Sequence, residues 1–201
     1  MPQREKYRAV SRSIGSARQY VGAFIRQYLS EQAMNEFQKN WDEYTKEPPE
    51  SQSEAEKYEF GYNNWITMAK STYRYVRLIG NEGIPQFERA EIEMLKRKSN
   101  VFTLMVLSVL RKIAPGHAFR MVAKKLAYEM QWTTSLNVEQ LDSDKMVVNV
   151  PQCKILGSAG TEDLCLIGCQ NTYSAWFAEQ FHLKLDTKRH GNGCTKILTP
   201  L

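Results

Sequence analysis

Residues 183–199 read LKLDTKRHGNGCTKILT, and this stretch decides the fold class. Leu183 to Arg189 alternates apolar with polar side chains, the two-residue period of a half-buried strand. Gly191-Asn192-Gly193 follows, and glycines accept the positive φ of a tight reversal, so a hairpin turn is expected there. Cys194 to Thr199 then returns as the pairing strand. Lys145 to Val150, rich in β-branched valine, reads as a further strand. Gly157 to Gly160 marks a loop, and Cys165 to Phe181 reads as a helix carrying Trp176, Phe177 and Phe181 near one face. The last third is therefore expected to be a small antiparallel sheet with one helix packed on it.

Upstream, the period changes from two to three and four. Behind the Pro115-Gly116 break, Phe119, Val122, Ala123, Leu126, Ala127 and Met130 recur at helical spacing. Val101 to Leu110 is nearly all apolar, and a helix apolar all round is expected at the centre of a fold. A charged helical stretch, Glu88 to Lys98, precedes it, with Lys96-Arg97-Lys98 expected as a solvated turn. Earlier still, Ile14, Ala17, Val21, Phe24, Tyr28, Met34, Phe37, Trp41 and Tyr44 trace one face of a single helix of about 30 residues. Pro48-Pro49 stops it. Ser51 or Ser53 is expected to cap the next helix, whose stripe runs from Ala55 through Tyr62, Trp65 and Val76 to Ile79. Two such helices should pack antiparallel, their Tyr and Trp filling the contact rather than walling a ligand. The architecture expected is α+β: a helical part over 1–114, with a long antiparallel hairpin and a third helix, and an α+β ligand-binding part over 115–201, joined in one unit.

Composition narrows the function classes. The chain has 201 residues, 42% hydrophobic and 11% aromatic, which excludes intrinsic disorder. A chain of this length buries roughly 70% of its unfolded surface and needs no disulfides. The first ten residues, MPQREKYRAV, lack the apolar core of a secretory signal, and the Val101–Leu110 run is too short to cross a bilayer. A cytoplasmic protein with reduced thiols and no transmembrane segment is expected. The net charge of +5 sits at the start, where Arg4, Lys6, Arg8, Arg12, Arg18 and Arg26 face Glu5 alone. No zinc finger or RNA-binding signature accompanies it, so a solvated, partly frayed arm is expected and no specific nucleic-acid partner. The long apolar helices suggest a homodimer.

Chemistry concentrates late in the chain. Cys153, Cys165, Cys169 and Cys194 all fall in the last quarter, together with His182 and His190. Cys165 and Cys169 are four apart, which places two sulfurs on one helical face. Three readings stay open: structural filler, a catalytic thiol, or a zinc set of sulfur and imidazole ligands. Paired C-x2-C knuckles are missing, so no metal ligand is assigned. For catalysis, Cys169 after Gly168 would sit at a helix start, where the dipole favours thiolate. His190 or His182 would be the proton partner, and Asn171 and Thr172 would orient a ligand. No phosphate-cradling glycine loop, H-E-x-x-H, G-x-S-x-G or dinucleotide fingerprint occurs, which argues against kinase-like, zincin and Rossmann chemistry.

Four segments carry a family resemblance: PGHAFRMVAKKLA from Pro115, VVNVPQC ending at Cys153, LCLIGCQNT from Leu164, and HGNGCTKI from His190. Together they resemble the C-terminal part of the L-2-amino-thiazoline-4-carboxylic acid hydrolase-like proteins, and they are similar to the 4-vinyl-reductase-type ligand-binding domain. The matching positions are Cys153, Cys165, Gly168, Cys169, Gly191 and Cys194. The resemblance implies a pocket between helices and sheet that takes a small organic ligand. In the sensor branch an acidic residue and a cysteine on the strand before the closing cysteine help to bind zinc, and Lys184 to His190 here contains no cysteine. In the hydrolase-like branch a carboxylate often follows the central cysteine, and Asn171 and Thr172 stand in its place.

The function expected is a small-molecule enzyme with a cysteine-centred pocket, a hydrolase or cyclase acting on a C–N or C–S bond of a heterocyclic or amide-like substrate. Cys169, His190 and His182 are its catalytic candidates. Cys153, Cys165, Cys194, Asn171 and Thr172 are its ligand contacts, and no cofactor is required unless zinc is held. The alternative is a non-catalytic small-molecule binding, scaffold or sensor domain, zinc-bearing in the sensor case.

Overall fold

A computed structural model describes residues 1–158 and 160–201, except for the side chains of Lys98 and Val101; Ala159 of the expected 157–160 loop lies outside the described residues. The order is α1 (Gln3–Tyr28), α2 (Glu31–Tyr44), α3 (Glu54–Leu78), α4 (Gly83–Lys98), α5 (Val101–Ile113) and α6 (Pro115–Met130). β1 (Asn137–Leu141), β2 (Met146–Val150), a π-helical segment (Leu164–Thr172), α7 (Tyr173–Phe181), β3 (Leu183–His190) and β4 (Gly193–Pro200) follow. The fold is α+β.

The single first helix is in fact two. Leu29 leaves the helical region, and Ser30 starts α2 by accepting the Ala33 N–H on its side chain. Serine gives the freed donors a partner, so the break is local in sequence. The basic N-terminus is not a frayed arm: α1 is helical from Gln3, Lys6 lies 5.5 Å from the centre of the Tyr58 ring, and Arg18 lies 5.6 Å from that of Trp41. The terminal amine also bonds Gln131, and Glu5 bonds the Tyr128 hydroxyl. Ser53 caps α3 in a reciprocal capping box with Glu56.

The aromatic stripes form the helical core. Val10, Phe24 and Ile25 of α1, Phe37 and Trp41 of α2, and Tyr58, Tyr62, Trp65 and Val76 of α3 are buried together. Trp65 meets Trp132 edge-on at 5.0 Å, and the Tyr58 and Tyr62 hydroxyls donate to the Trp132 and Thr133 carbonyls. Each such side chain contributes about 1.5–3 kcal/mol by leaving water, and the bonded hydroxyls avoid a desolvation loss.

The sheet is antiparallel throughout, in the order β1-β2-β4-β3. Its inner face, Met146, Val148, Val150, Leu183, Leu185, Cys194 and Leu198, packs with Phe119, Ala123 and Ala127 of α6 and Phe177 of α7. β1, which the sequence reading passes over, is an exposed edge strand interrupted by a bulge between Val138 and Gln140. The β3–β4 turn has Gly191 at φ +53°. Gly193 serves a different need from positive φ: a Cβ there would lie 2.3 Å from the Val150 carbonyl oxygen. Gly193→Ala should therefore push β4 off β2 and destabilise the protein by about 1–3 kcal/mol, read as a lowered urea midpoint. An unchanged midpoint would show that the strand end has room to move.

The Val101–Leu110 segment is not central. α4 stops at Ser99, Asn100 caps α5 by accepting the Phe102 and Thr103 N–H groups, and the chain turns outward. Leu107 is buried, but Phe102, Met105, Val106, Val109 and Ile113 are exposed, and none of the described side chains of α5 belongs to either core cluster. The two cores are already closed by other helices, and hydrophobicity alone does not make space inside.

Candidate functional site

β4 alternates Cys194, Lys196 and Leu198 toward the inner face of the sheet, so a lysine stands where the pattern calls for an apolar residue. Lys196 is only 4% exposed. Its Nζ donates to Cys169 Sγ at 3.2 Å and to Thr187 Oγ1, directly opposite on β3, at 3.2 Å. Burial by itself would lower the Lys196 ammonium. The Cys169 sulfur and its hydrogen bond, then Cys194 and Cys165, outweigh this and hold the proton more firmly than in a free lysine.

Cys169 lies inside the helical run, not at its start. The run begins before Leu164 and continues in π-helical turns to Thr172, where the Thr172 hydroxyl donates five residues back to the Ile167 carbonyl. The helix dipole thus gives Cys169 no end to sit on, and Lys196 is the cation beside it. π-helical segments recur at functional sites because the wider turn redirects side chains. Gly168 permits this one to approach α3: a Cβ there would lie 2.6 Å from the Tyr73 hydroxyl.

The other sulfurs surround the pair without sharing its character. Cys165 is buried in the helical core and accepts from Gln170 Nε2 at 3.5 Å, Cys194 is in the sheet core, and Cys153 packs against both. Burial pushes the Cys194 thiol up to about 11, partly countered by Lys196, and burial raises Cys153 as well. Both are thereby weaker nucleophiles. Among the described residues no three of His, Cys, Asp and Glu are placed to hold a metal ion, so these side chains do not fit a zinc site.

A carboxylate that the sequence reading misses completes the interior. Glu91 of α4 accepts from the Tyr20 hydroxyl at 3.4 Å through Oε1, and its Oε2 is buried without a hydrogen-bond partner. Burial raises it to about 7, with the Thr172 and Tyr20 hydroxyls partly opposing and Glu88 adding to the rise. Tyr73 and Tyr173 are pushed up by burial first, and both also feel Glu91 and Cys169, which places carboxylate, phenols and thiol in one neighbourhood. The only sequence signal for Glu91 is its position four residues after Phe87, itself fully buried, on a helix otherwise rich in charge.

Neither histidine joins Cys169. His190 shares the outer face of β3 with Lys184 and Asp186, is exposed, and bonds Thr195 at 3.2 Å. Three residues of strand, about 10 Å, and the sheet itself separate it from Thr187. His182 closes α7 in the left-handed conformation at φ 46°, and its carbonyl accepts the Leu201 N–H. It lies five strand residues, about 16 Å, from Thr187. Asn171 is exposed and donates to Glu88 at 2.9 Å, while Thr172 is fully buried beside Glu91. Two surface clefts of about 370 and 410 Å³ flank α5, both touching Arg111 and His182, and no cysteine lines either. Comparison with protein-family models, with curated proteins and with solved structures returns no match.

Proposed function

We propose that this chain is a small-molecule enzyme that uses Cys169 as nucleophile, with Lys196 in the partner role that the sequence alone suggests for a histidine. The observation that carries the reading is the Lys196–Cys169 contact of 3.2 Å on the buried face of the sheet. A buried lysine among apolar neighbours costs stability unless something balances its charge, and groups of that kind concentrate at functional sites. The reaction class is cleavage or closure of a C–N or C–S bond. The Cys169 thiol adds to a trigonal carbon while the Lys196 ammonium stabilises the negative charge that develops on the adduct. The C–N or C–S bond breaks as the thiol's proton ends on the leaving nitrogen or sulfur. Water for cleavage, or a nucleophile within the substrate for closure, then displaces the Cys169 sulfur, which recovers a proton. Glu91, raised by burial to about 7, is the acid–base group assigned to this chemistry, and Tyr73 and Tyr173 each feel both it and Cys169. The resemblance to the hydrolase-like proteins supports the same class of substrate.

The test is alkylation by iodoacetamide at pH 7, mapped by peptide mass spectrometry. Cys169 should react at least about tenfold faster than Cys153, Cys165 and Cys194, because it has a cation 3.2 Å away and is partly open to solvent, whereas Cys165 and Cys194 are buried and the half-buried Cys153 thiol is raised. Four equally slow thiols would overturn the reading. They would favour the second one, a binding or scaffold domain, for which the position of both clefts beside α5 rather than at Cys169 speaks.

A further inference from the structure

The exposed stripe of α5 is ordered. Phe102, Met105, Val106, Val109 and Ile113 are spaced by three, one, three and four, so at 100° per residue they fall within about 100° of one another. Phe102 is 67% and Ile113 72% exposed. Between Glu93 and Glu129 the sequence holds eight lysines and arginines and no acidic residue. Among the described residues, Arg97, Lys112, Arg120 and Lys124 on α4, α5 and α6 form no ion pair. No helix among the described residues is long and apolar enough to cross a membrane.

From this combination we propose that α5 docks on an anionic lipid surface, lying in its plane with the apolar stripe inserted and the basic residues of α4, α5 and α6 against lipid headgroups. The charge pattern selects this occupant. A second copy of the chain would bring the unpaired Arg97, Lys112, Arg120 and Lys124 toward their own counterparts, with Asp144 and the already paired Glu179 as the carboxylates lining the clefts beside α5, which opposes association. A nucleic acid would use the charge and could stack on Phe102, but would leave Met105, Val106, Val109 and Ile113 in water. A bilayer interface with anionic headgroups satisfies both halves of the surface. The inference is independent of the chemistry at Cys169.

Co-sedimentation with vesicles of phosphatidylcholine alone and of phosphatidylcholine with phosphatidylserine tests it. The full chain should bind the anionic vesicles at least about tenfold better, and high salt should weaken binding. Val109→Glu, on the exposed stripe, and the double change Lys112→Glu with Lys124→Glu should each lower binding about tenfold or more, with the circular dichroism spectrum unchanged. Equal partition into both vesicle types, no binding, or anionic binding indifferent to Val109→Glu would overturn the proposal. So would a dimer, seen by light scattering, that Val109→Glu converts to monomer, since a second copy would then own the face.

Discussion

Lys196→Met should slow iodoacetamide alkylation of Cys169 at pH 7 by at least about tenfold and, in the same protein, leave stability unchanged or raise it by about 1–3 kcal/mol. The two effects have one origin. Lys196 places a cation on the inner face of the sheet, between Cys194 and Leu198 on its own strand and opposite Val148 on β2. Methionine has similar length and no charge, so it fills the same volume and removes both the desolvation cost and the sulfur contacts that offset it. Such an exchange is neutral or stabilising when a buried charged group gives way to an apolar side chain of like volume. Cys169 then becomes a small apolar neighbour and loses the donor at 3.2 Å. Thr187 loses its contact too, a cost of about 1 kcal/mol that sets the lower end of the range. A group kept for function at the expense of the core behaves this way. Urea unfolding and alkylation kinetics on one preparation read both signs. Strong destabilisation with Cys169 reactivity unchanged would make Lys196 a structural residue and remove its activating role.

The lysine is within reach of the sequence, and its omission shows where pattern reading stops. The alternation that identifies the β3–β4 hairpin also assigns Lys196 to the same face as Cys194 and Leu198. What the alternation lacks is the partner: Cys169 stands 27 residues earlier in the chain, on a helical segment, and meets Lys196 only through the tertiary fold. The Ser53 cap and the glycine turn are legible because their physics is local. β1 is not, since a short edge strand with a bulge carries little periodicity. α5 fails for the opposite reason: its composition is plain in the sequence and its place is not, because burial depends on whether other elements leave a vacancy. The histidines attract attention as the common proton carriers, yet side-chain parity alone sends His190 to the outer face once Leu183 and Leu185 are fixed inward.

Glu91→Gln should flatten part of the dependence of stability on pH and make the protein more stable at pH 8, by as much as about 3 kcal/mol. Burial moves this carboxyl from an ordinary 4.5 to about 7. Below 4.5 both the folded and the unfolded chain hold the proton. Between 4.5 and 7 the unfolded chain has lost it and the folded chain keeps it, so folding takes up a proton and stability falls as pH rises through the window. Above 7 the folded protein carries a buried carboxylate whose Oε2 has no hydrogen-bond partner. Glutamine is uncharged throughout, so the variant should match the wild type near pH 4.5 and exceed it at pH 8. Asp163 and Glu179, held low by Arg77 and Lys96, act with the opposite sign and at lower pH: they add stability above the ordinary carboxylate range and lose it as pH falls below. Urea midpoints at pH 5 and pH 8 separate the two contributions. If the wild-type protein and the Glu91→Gln variant instead shift in parallel between those pH values, Glu91 is ionised in the fold, and the acid–base role proposed for it goes with the proton it was expected to keep.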